Sequence, residues 1–405
     1  MIPLEEARAK VLAACRPLPA VPVPLDAALS CVTAEPVVST ANVPSFPNTG
    51  MDGYAVRAAD TAGASESDPA RLLVVGVIAA GSVPDHPVGP GQAVRIMTGA
   101  PMPDGADAIA IVEVTTTDGD YVLVSQPSVP GVAVRQPGGD IAAGQQVFPE
   151  GTVLSPGHLG VLASIGQETV TVYRRARVGV LSTGDELVQG SALLQPGQIR
   201  DVNRLTLLSL CRQAGFEAVD LGAAQDDEDE IRDVIKRGVT TCDALISSGG
   251  VSMGDFDFVK KVLDQIGDMS WMQVAIRPAK PLAFGLVEGI PVFGLPGNPV
   301  SSMVSFELFA RPGLRQMMGY RGAGLYRTRV RGVADEGFAR KPDGKLYLNR
   351  VVAEPSSNDG RFHVRSAGGQ ESHLLKAMAL ANALALVPDG PGIEPGGDVD
   401  VLLLE

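Results

Sequence analysis

Apolar residues at the start of the chain recur with helical spacing. Ile2, Leu4, Ala7, Val11 and Leu12 share one face, and Pro17 and Pro19 end the pattern. The segment VPSFPNTGMDGYAVRAAD that follows a Pro-rich stretch is dense in turn formers. Over residues 72–134 the period changes. LLVVGVIAAG, AVRIMTG, AIAIVEV and YVLVSQ are short runs rich in Val and Ile, split by Gly and Pro, and they predict strands. Residues 135–172 are mixed. PGHLGVLASIG predicts a short helix, Pro first and Gly last, ahead of the strand ETVTVYR.

From Arg177 strands and helices alternate. RVGVLSTGDE runs from a buried strand into a Gly turn, and Asp201 caps the helix VNRLTLLSLCRQAG, closed by Gly215. FEAVDLG is a strand, and Asp226 opens a helix through Arg237. DALISSGG is a strand with a Gly turn, FDFVKKVLDQIG a helix and GIPVFGLPG a strand; Asn298 caps a long helix with Pro299 at its first position. Such alternation predicts a doubly wound parallel sheet over 173–318. Beyond it, RTRVRGVA, LYLNRVVA, RFHVRSA, ALALVP and VDVLLLE predict a small barrel or curled sheet over 319–405. No internal repeat is visible. The expected architecture is therefore α/β and multidomain. A mixed N-terminal domain over 1–40 and 137–172 is interrupted by a β-rich insert over 41–136, then come the α/β domain and the C-terminal β-barrel.

Composition narrows the function. The chain has 405 residues, and 33 Lys and Arg against 46 Asp and Glu give a net charge of −13. That argues against holding nucleic acid or an anionic membrane by bulk charge, though not against a small anionic ligand. Aromatic residues are only 4%, too few for base-stacking platforms. Cys15, Cys31, Cys211 and Cys242 form no CxxC, so reduced, scattered thiols are expected. MIPLEEARAK has neither a basic nor an apolar leader pattern, and the longest apolar run, 72–81, is half of the roughly 20 residues a membrane helix needs. A cytoplasmic protein is expected.

Ligands of open parallel sheets sit beyond the carboxyl ends of the strands. Three turns fall there: Ser182-Thr183-Gly184-Asp185-Glu186, the stretch Ser247, Ser248, Gly249, Gly250, Val251 and Ser252, and Leu295-Pro296-Gly297-Asn298-Pro299. Each sets small residues and free amides beside a helix start, which suits an anion; each also suits a plain tight connection. No GxxxxGK[ST] and no GxGxxG follows a strand. His86, His158, His363 and His373 are too widely spaced to suggest a zinc site or a triad. The carboxylates Asp52, Asp140, Glu186, Asp226 and Asp257 lie in or beside turns. They could furnish a Mg²⁺ site, since hard cations take carboxylate oxygens plus substrate phosphate. The same residues could equally be an Asx turn (Asp52), a helix cap (Asp226) or surface acids. Arg277 and Lys280 in AIRPAKP are stiffened by prolines and read as an anion-binding pair or as a solvated basic loop.

PSFPNTGMDGYAVR, VRIMTGAPMPDGADAI, LSTGDEL, SSGGVSMGDFDF, RPAKPLAFG and GLPGNPVSS, in this order and over nearly the whole chain, resemble the molybdopterin molybdenumtransferase family (MoeA and the E domain of gephyrin). The resemblance implies an elongated homodimer that takes adenylylated molybdopterin and molybdate. With Mg²⁺ it cleaves the pyrophosphate link, releases AMP and leaves molybdenum on the pterin dithiolene. It implies catalytic roles for Asp52, Thr98, Asp140, Glu186, Asp226, Asp257, Arg277 and Lys280, with Asp52 reaching the site from the other subunit. It implies metal ligation by Glu186, Asp226 and Asp257. Substrate binding falls to Ser247, Ser248, Gly249, Gly250 and Ser252, to Pro296, Gly297, Asn298 and Pro299, and to Arg350 in YLNRVV. The chain departs from the family in two places: Gln273 stands where many members carry lysine, and Arg277 where lysine is frequent. The implied partners are the small-molecule substrates, a second subunit, and transiently the adenylyltransferase and acceptor molybdoenzymes; no nucleic acid or membrane is implied. Two other readings stay open, a molybdopterin-binding scaffold without turnover and the adenylyltransferase of the same pathway.

Overall fold

The computed structural model describes residues 1–249 and 258–404. The chain splits into two compact units, one of Pro24–Leu29 and Glu35–Val170, the other of Met1–Val23, Ser30–Ala34 and Thr171–Glu405. Among the described residues no helix is long and apolar enough to cross a membrane.

The smaller unit is built on a six-stranded sheet. Its order is Ala108–Ile111, Gly53–Val56, Gln92–Ile96, Ala70–Ile78, Tyr121–Val124 and Thr115–Asp118, antiparallel except where Ala70–Ile78 meets Gln92–Ile96. Successive side chains of a strand point to opposite faces. Tyr54 and Val56 accordingly join Leu72, Val122 and Val124 in one apolar cluster, while Ala55 joins Val94, Ile96 and Ile109 in another. The helix Pro156–Ser164 has Pro at its first turn. Its capping pair is Ser155 Oγ and His158 Nδ1, 2.6 Å apart, and Phe148 packs on the His158 ring. His158 thus does local structural work.

In the larger unit a six-stranded sheet runs in the order Glu217–Ala224, Arg177–Thr183, Ala244–Ser248, Ile290–Leu295, Pro281–Val287 and Asp268–Gln273. The first four strands are parallel, as the alternation predicts. The last two pair antiparallel and were not foreseen, because a helix-free stretch rich in Pro and Gly does not separate hairpin from loop. Both faces are covered. Ala244 and Ile246 pack with Leu207, Phe293 and Val304 on one side, and Leu245 with Ile231, Ile235 and Val262 on the other. Helix Glu228–Thr241 buries Ile231, Val234, Ile235, Gly238 and Val239, a stripe of helical spacing. Burial of each isoleucine contributes about 1.5–3 kcal/mol. Added Cβ atoms at Gly179 and Gly238 would lie 2.7 Å from Leu245 Cδ2, so glycine at both places lets this helix sit close on the sheet.

Two helix starts differ from expectation by one residue. Asp227, not Asp226, caps Glu228–Thr241, accepting from the amides of Asp229 and Glu230 at 3.0 and 2.9 Å. Val202 holds the cap position before Asn203–Gln213, yet the Asp201 carboxylate still accepts from the Arg204 amide at 3.2 Å. The expected long helix after Asn298 is a continuous helical run. It comprises Pro299–Ser305, a wide turn over Phe306–Ala310 and Arg311–Met317; Asn298 holds the cap position without a side-chain capping bond.

The C-terminal strands Leu346–Pro355, Phe362–Ser366, Arg329–Ala334, Asp398–Leu403 and Ala383–Val387 pair in that order, and the last returns to the first, closing a five-stranded barrel. Closure leaves no free edge among these strands. Val351, Val364, Ala385 and Val401 fill the interior. One further strand, Ile276–Arg277, pairs in parallel with the barrel, Ile276 opposite Leu346 and Arg277 opposite Tyr347.

On the barrel surface His363 lies between Asp359 (3.2 Å) and Asp335 (2.5 Å). The hydrogen bond to Asp359 first, then that to Asp335, raises the imidazole above its ordinary value. A group whose pKa is raised by folding stabilises the fold fully below its unfolded value, near 6.5, and that contribution is lost as pH rises through the folded value. Wild type should therefore exceed His363→Gln in Tm at pH 5.5, and the gap should close at alkaline pH. A gap independent of pH over this window would show that the clip is not ionic.

Candidate functional site

The three predicted turns meet at the carboxyl ends of the parallel strands. The Gly249 amide donates to Leu295 O at 3.1 Å. Gly249 has φ +98°, a conformation natural only to glycine, and a Cβ there would stand 3.1 Å from Thr183 O. A Cβ on Gly297 would lie 3.8 Å from Gly249 Cα. The floor is thus bare backbone with small side chains, and the Gly249 amide in it is taken up by Leu295 O rather than left open as the sequence suggested. Ser247 and Ser248 are buried, and the Ser247 hydroxyl donates to Gly249 O at 3.3 Å. Ser248 Oγ is buried with no hydrogen-bond partner among the described residues. Gly250, Ser252 and Asp257 lie outside the described residues.

Glu186 and Asp226 stand at the same edge. The Glu186 carboxylate closes over Gly184, where an added Cβ would meet Oε2 at 2.5 Å. Asp226 is half-buried, and its amide donates to Asp185 Oδ1 at 3.0 Å, which ties the first turn to the start of the neighbouring helix. Among the described residues no group of three His, Cys, Asp or Glu could enclose a metal ion. Glu186 and Asp226 nevertheless put two carboxylates on the turns at this edge. This suits a hard cation such as Mg²⁺, which keeps waters and takes one or two carboxylates plus substrate phosphate.

Beside this edge is a cavity of about 410 Å³. Arg277, Pro278, Ala279 and Lys280 form one wall. Pro296, Asn298 and Ser301 line it from the start of the 299–317 run, and Lys345 and 370–373 from the barrel side. Ala279 is held at φ +72°, a strained position for a residue with a Cβ. Arg277 donates from Nη1 to the Tyr347 hydroxyl at 3.0 Å. Among the described residues neither Arg277 nor Lys280 has an ion-pair partner. Two exposed cations without an ion-pair partner among the described residues, at a cavity that also carries Glu371 and the hydroxyls of Ser301 and Ser372, suit an anion with several oxygens.

Arg350 is fully buried and does not line the cavity. Its Nη2 donates to the carbonyls of Gly369 and Glu371 at 2.7 and 3.2 Å, and Gln370 bonds its backbone on both sides. Burial holds the guanidinium below its usual value, and Nε and Nη1 have no partner among the described residues. Arg350 therefore shapes the 369–371 segment that forms the cavity's far wall. Gln273 ends the strand Asp268–Gln273, and its carbonyl accepts from the Ile2 amide at 2.8 Å.

Asp52, Thr98 and Asp140 belong to the smaller unit. Asp52 Oδ1 accepts from both the amide and the hydroxyl of Thr98 at 2.7 Å. The amide first, then the hydroxyl, holds this carboxyl below its usual range. Asp140 is exposed in the turn after Gly139, with its amide bonded to Val43 O at 3.0 Å.

Comparison with known proteins is consistent across the chain. Residues 2–166 match the MoeA N-terminal region (domain I and II), 179–316 the probable molybdopterin binding domain, and 331–404 the MoeA C-terminal region (domain IV). The chain is 39% identical over 387 residues to molybdopterin molybdenumtransferase 2 of Mycobacterium tuberculosis, covering 94% of this chain and 93% of the relative. The chain belongs to the MoeA family. It is 36% identical over 409 residues to the molybdopterin molybdenumtransferase of Haemophilus influenzae, covering 98% and 97%. The crystal structure of the molybdopterin biosynthesis moea protein from Pyrococcus horikosii superimposes with a TM-score of 0.83 at 30% identity, covering 100% and 99%. The MoeA architecture, with its molybdopterin-binding-type domain and closed C-terminal barrel, is thus that of this chain.

Sequence reading missed several residues of this MoeA cavity. Ser301, one turn into the helix after Pro299, follows from the placement of that helix. Lys345, Glu371, Ser372 and His373 could not be found that way, because they come to the cavity through barrel pairing distant in sequence.

Proposed function

We propose that this protein is a molybdopterin molybdenumtransferase. It takes adenylylated molybdopterin and molybdate, cleaves the pyrophosphate link with Mg²⁺, releases AMP and leaves molybdenum on the dithiolene, forming molybdenum cofactor. The observation that carries the reading is the pair of cations, Arg277 and Lys280, which have no ion-pair partner among the described residues and line one cavity with the hydroxyls of Ser301 and Ser372. A tetrahedral oxyanion is an acceptor on every face, so two cations and the nearby hydroxyls of Ser301 and Ser372 suit it.

The chain's own residues divide the work. The Ser248 hydroxyl and the amides of Gly297 and Asn298 would bind and orient the pterin phosphate. Arg277 and Lys280 would capture molybdate. Glu186 and Asp226, with Asp257, would hold Mg²⁺, which when bound neutralises charge on the anhydride. Asp52, kept ionised by Thr98, and Asp140 are the further catalytic carboxylates of the proposal. The four-part domain division, a homodimer and a cytoplasmic location belong to the same reading.

The test is AMP release from adenylylated molybdopterin by the purified protein, with and without molybdate and Mg²⁺. Release that needs both ions, with molybdenum appearing on the pterin, is expected. Tight binding without release would replace the reading with a scaffold role. ATP consumption with pyrophosphate release would replace it with the adenylyltransferase step.

A further inference from the structure

We propose that Tyr347 is a positioning residue of the anion cavity, fixing the Arg277 guanidinium from the barrel. The inference rests on the anion-site reading above. Tyr347 stands opposite Arg277 in the parallel pairing of Ile276–Arg277 with the barrel. Its hydroxyl accepts from Arg277 Nη1 at 3.0 Å and donates to Asp343 Oδ2 at 3.2 Å, so both its hydrogen-bonding roles are used. Two guanidiniums approach its ring, Arg340 at 3.9 Å and Arg277 at 5.0 Å from the centroid.

The base beneath the ring is rigid. The Arg340 side chain is 1% exposed and bonds Asp343 and Asp389 at 2.7 Å each, as well as the carbonyls of Lys345 and Val387. Asp343 also pairs with Lys345 at 2.7 Å. Arg277, by contrast, is exposed, and among the described residues its side chain bonds the Tyr347 hydroxyl alone. An arginine with no carboxylate to hold it loses much rotamer freedom when it captures a ligand, and a prior hydrogen bond removes part of that cost. Pairing through a neutral phenol holds the side chain without cancelling its charge. A carboxylate in the same place would fix it equally well and compete with the anion.

Tyr347→Phe keeps the stacked ring and removes both hydroxyl bonds. In the full-length protein it should raise the KM for molybdate about 10-fold with little change in kcat. In an Arg277→Ala background the same change should alter that KM less than about 2-fold, because contacting residues couple and the group being positioned is gone. A Tyr347→Phe KM equal to wild type would overturn the inference, and so would an equal loss in both backgrounds, which marks a purely structural tyrosine. If Arg277→Ala itself leaves the KM unchanged, the anion-site reading fails and takes this inference with it. If Arg277→Ala raises the KM while Tyr347→Phe does not, the inference alone fails.

Discussion

Glu186→Gln is expected to lower the rate of AMP release about 1,000-fold, the scale of several kcal/mol of lost charge stabilisation. Its effect on stability should stay within about 0.5 kcal/mol, because the side chain is exposed. The substitution keeps the volume over Gly184 and removes only the charge, so a fall in rate with unchanged Tm would assign the loss to the carboxylate. Asp226→Ala is the companion. Its backbone bond to Asp185 survives truncation of the side chain, and Asp227 still caps the following helix. Had Asp226 been the cap, as the sequence suggested, its loss would have mixed helix fraying into the kinetics. Added Mg²⁺ should partly rescue Glu186→Gln if a second carboxylate remains to hold the ion. Full activity in both variants would remove these residues from the proposed metal site.

Glu307→Ala is expected to cost about 3–5 kcal/mol of stability, the scale for breaking a buried charge network by deleting one partner. Glu307 has a side chain only 3% exposed. It accepts from Arg327 in a two-pronged pair at 2.8 and 2.9 Å and lies 3.8 Å from Arg311 Nε. Burial already pushes Arg311 down to about 10, with Arg315 adding to the effect and Glu307 opposing it. Removing Glu307 leaves the buried Arg311 and the partly buried Arg327 without their shared counter-charge. The wide turn over Phe306–Ala310 that carries Glu307 continues directly from the helix whose start lines the cavity, so activity should fall together with the melting temperature. Circular dichroism melts of Glu307→Ala and Glu307→Gln check this. Equal stability of both variants and wild type would mean that the arginines find other partners.

Much of this was legible in the residues. The parallel core could be read because its strands are short, mostly apolar stretches such as VGVL and ALI ahead of Gly turns and its helices carry caps and stripes, as Ile231 to Val239 illustrate. The meeting of the three turns could be read because strand ends of one parallel sheet must lie on one edge. The hairpin Asp268–Gln273 with Pro281–Val287 was hidden by its prolines, and Lys345 and His373 by barrel register. Arg350 shows a different limit. The family resemblance makes it a weaker match to a substrate-binding arginine, and in the structure its side chain bonds the carbonyls of Gly369 and Glu371. Nothing local in YLNRVV tells a ligand-facing guanidinium from one that braces a loop. Asp226 and Asp227 differ by one step along an acidic run in which every residue tolerates either role, so only the backbone geometry separates them.

The strand Ile276–Arg277 is hydrogen-bonded to the barrel, while the segments just before and after it in the chain form the outer hairpin of the mixed sheet. The α/β body and the barrel are therefore not interchangeable modules that could be separated in a shortened chain. A protein trimmed after residue 318 would lose Leu348, Met378 and Leu384 from the core cluster that covers one face of the six-stranded sheet, Arg277 would lose its neighbouring strand, and the cavity would lose the face that carries Lys345 and 370–373. In this architecture the last 87 positions are a working part of the cavity.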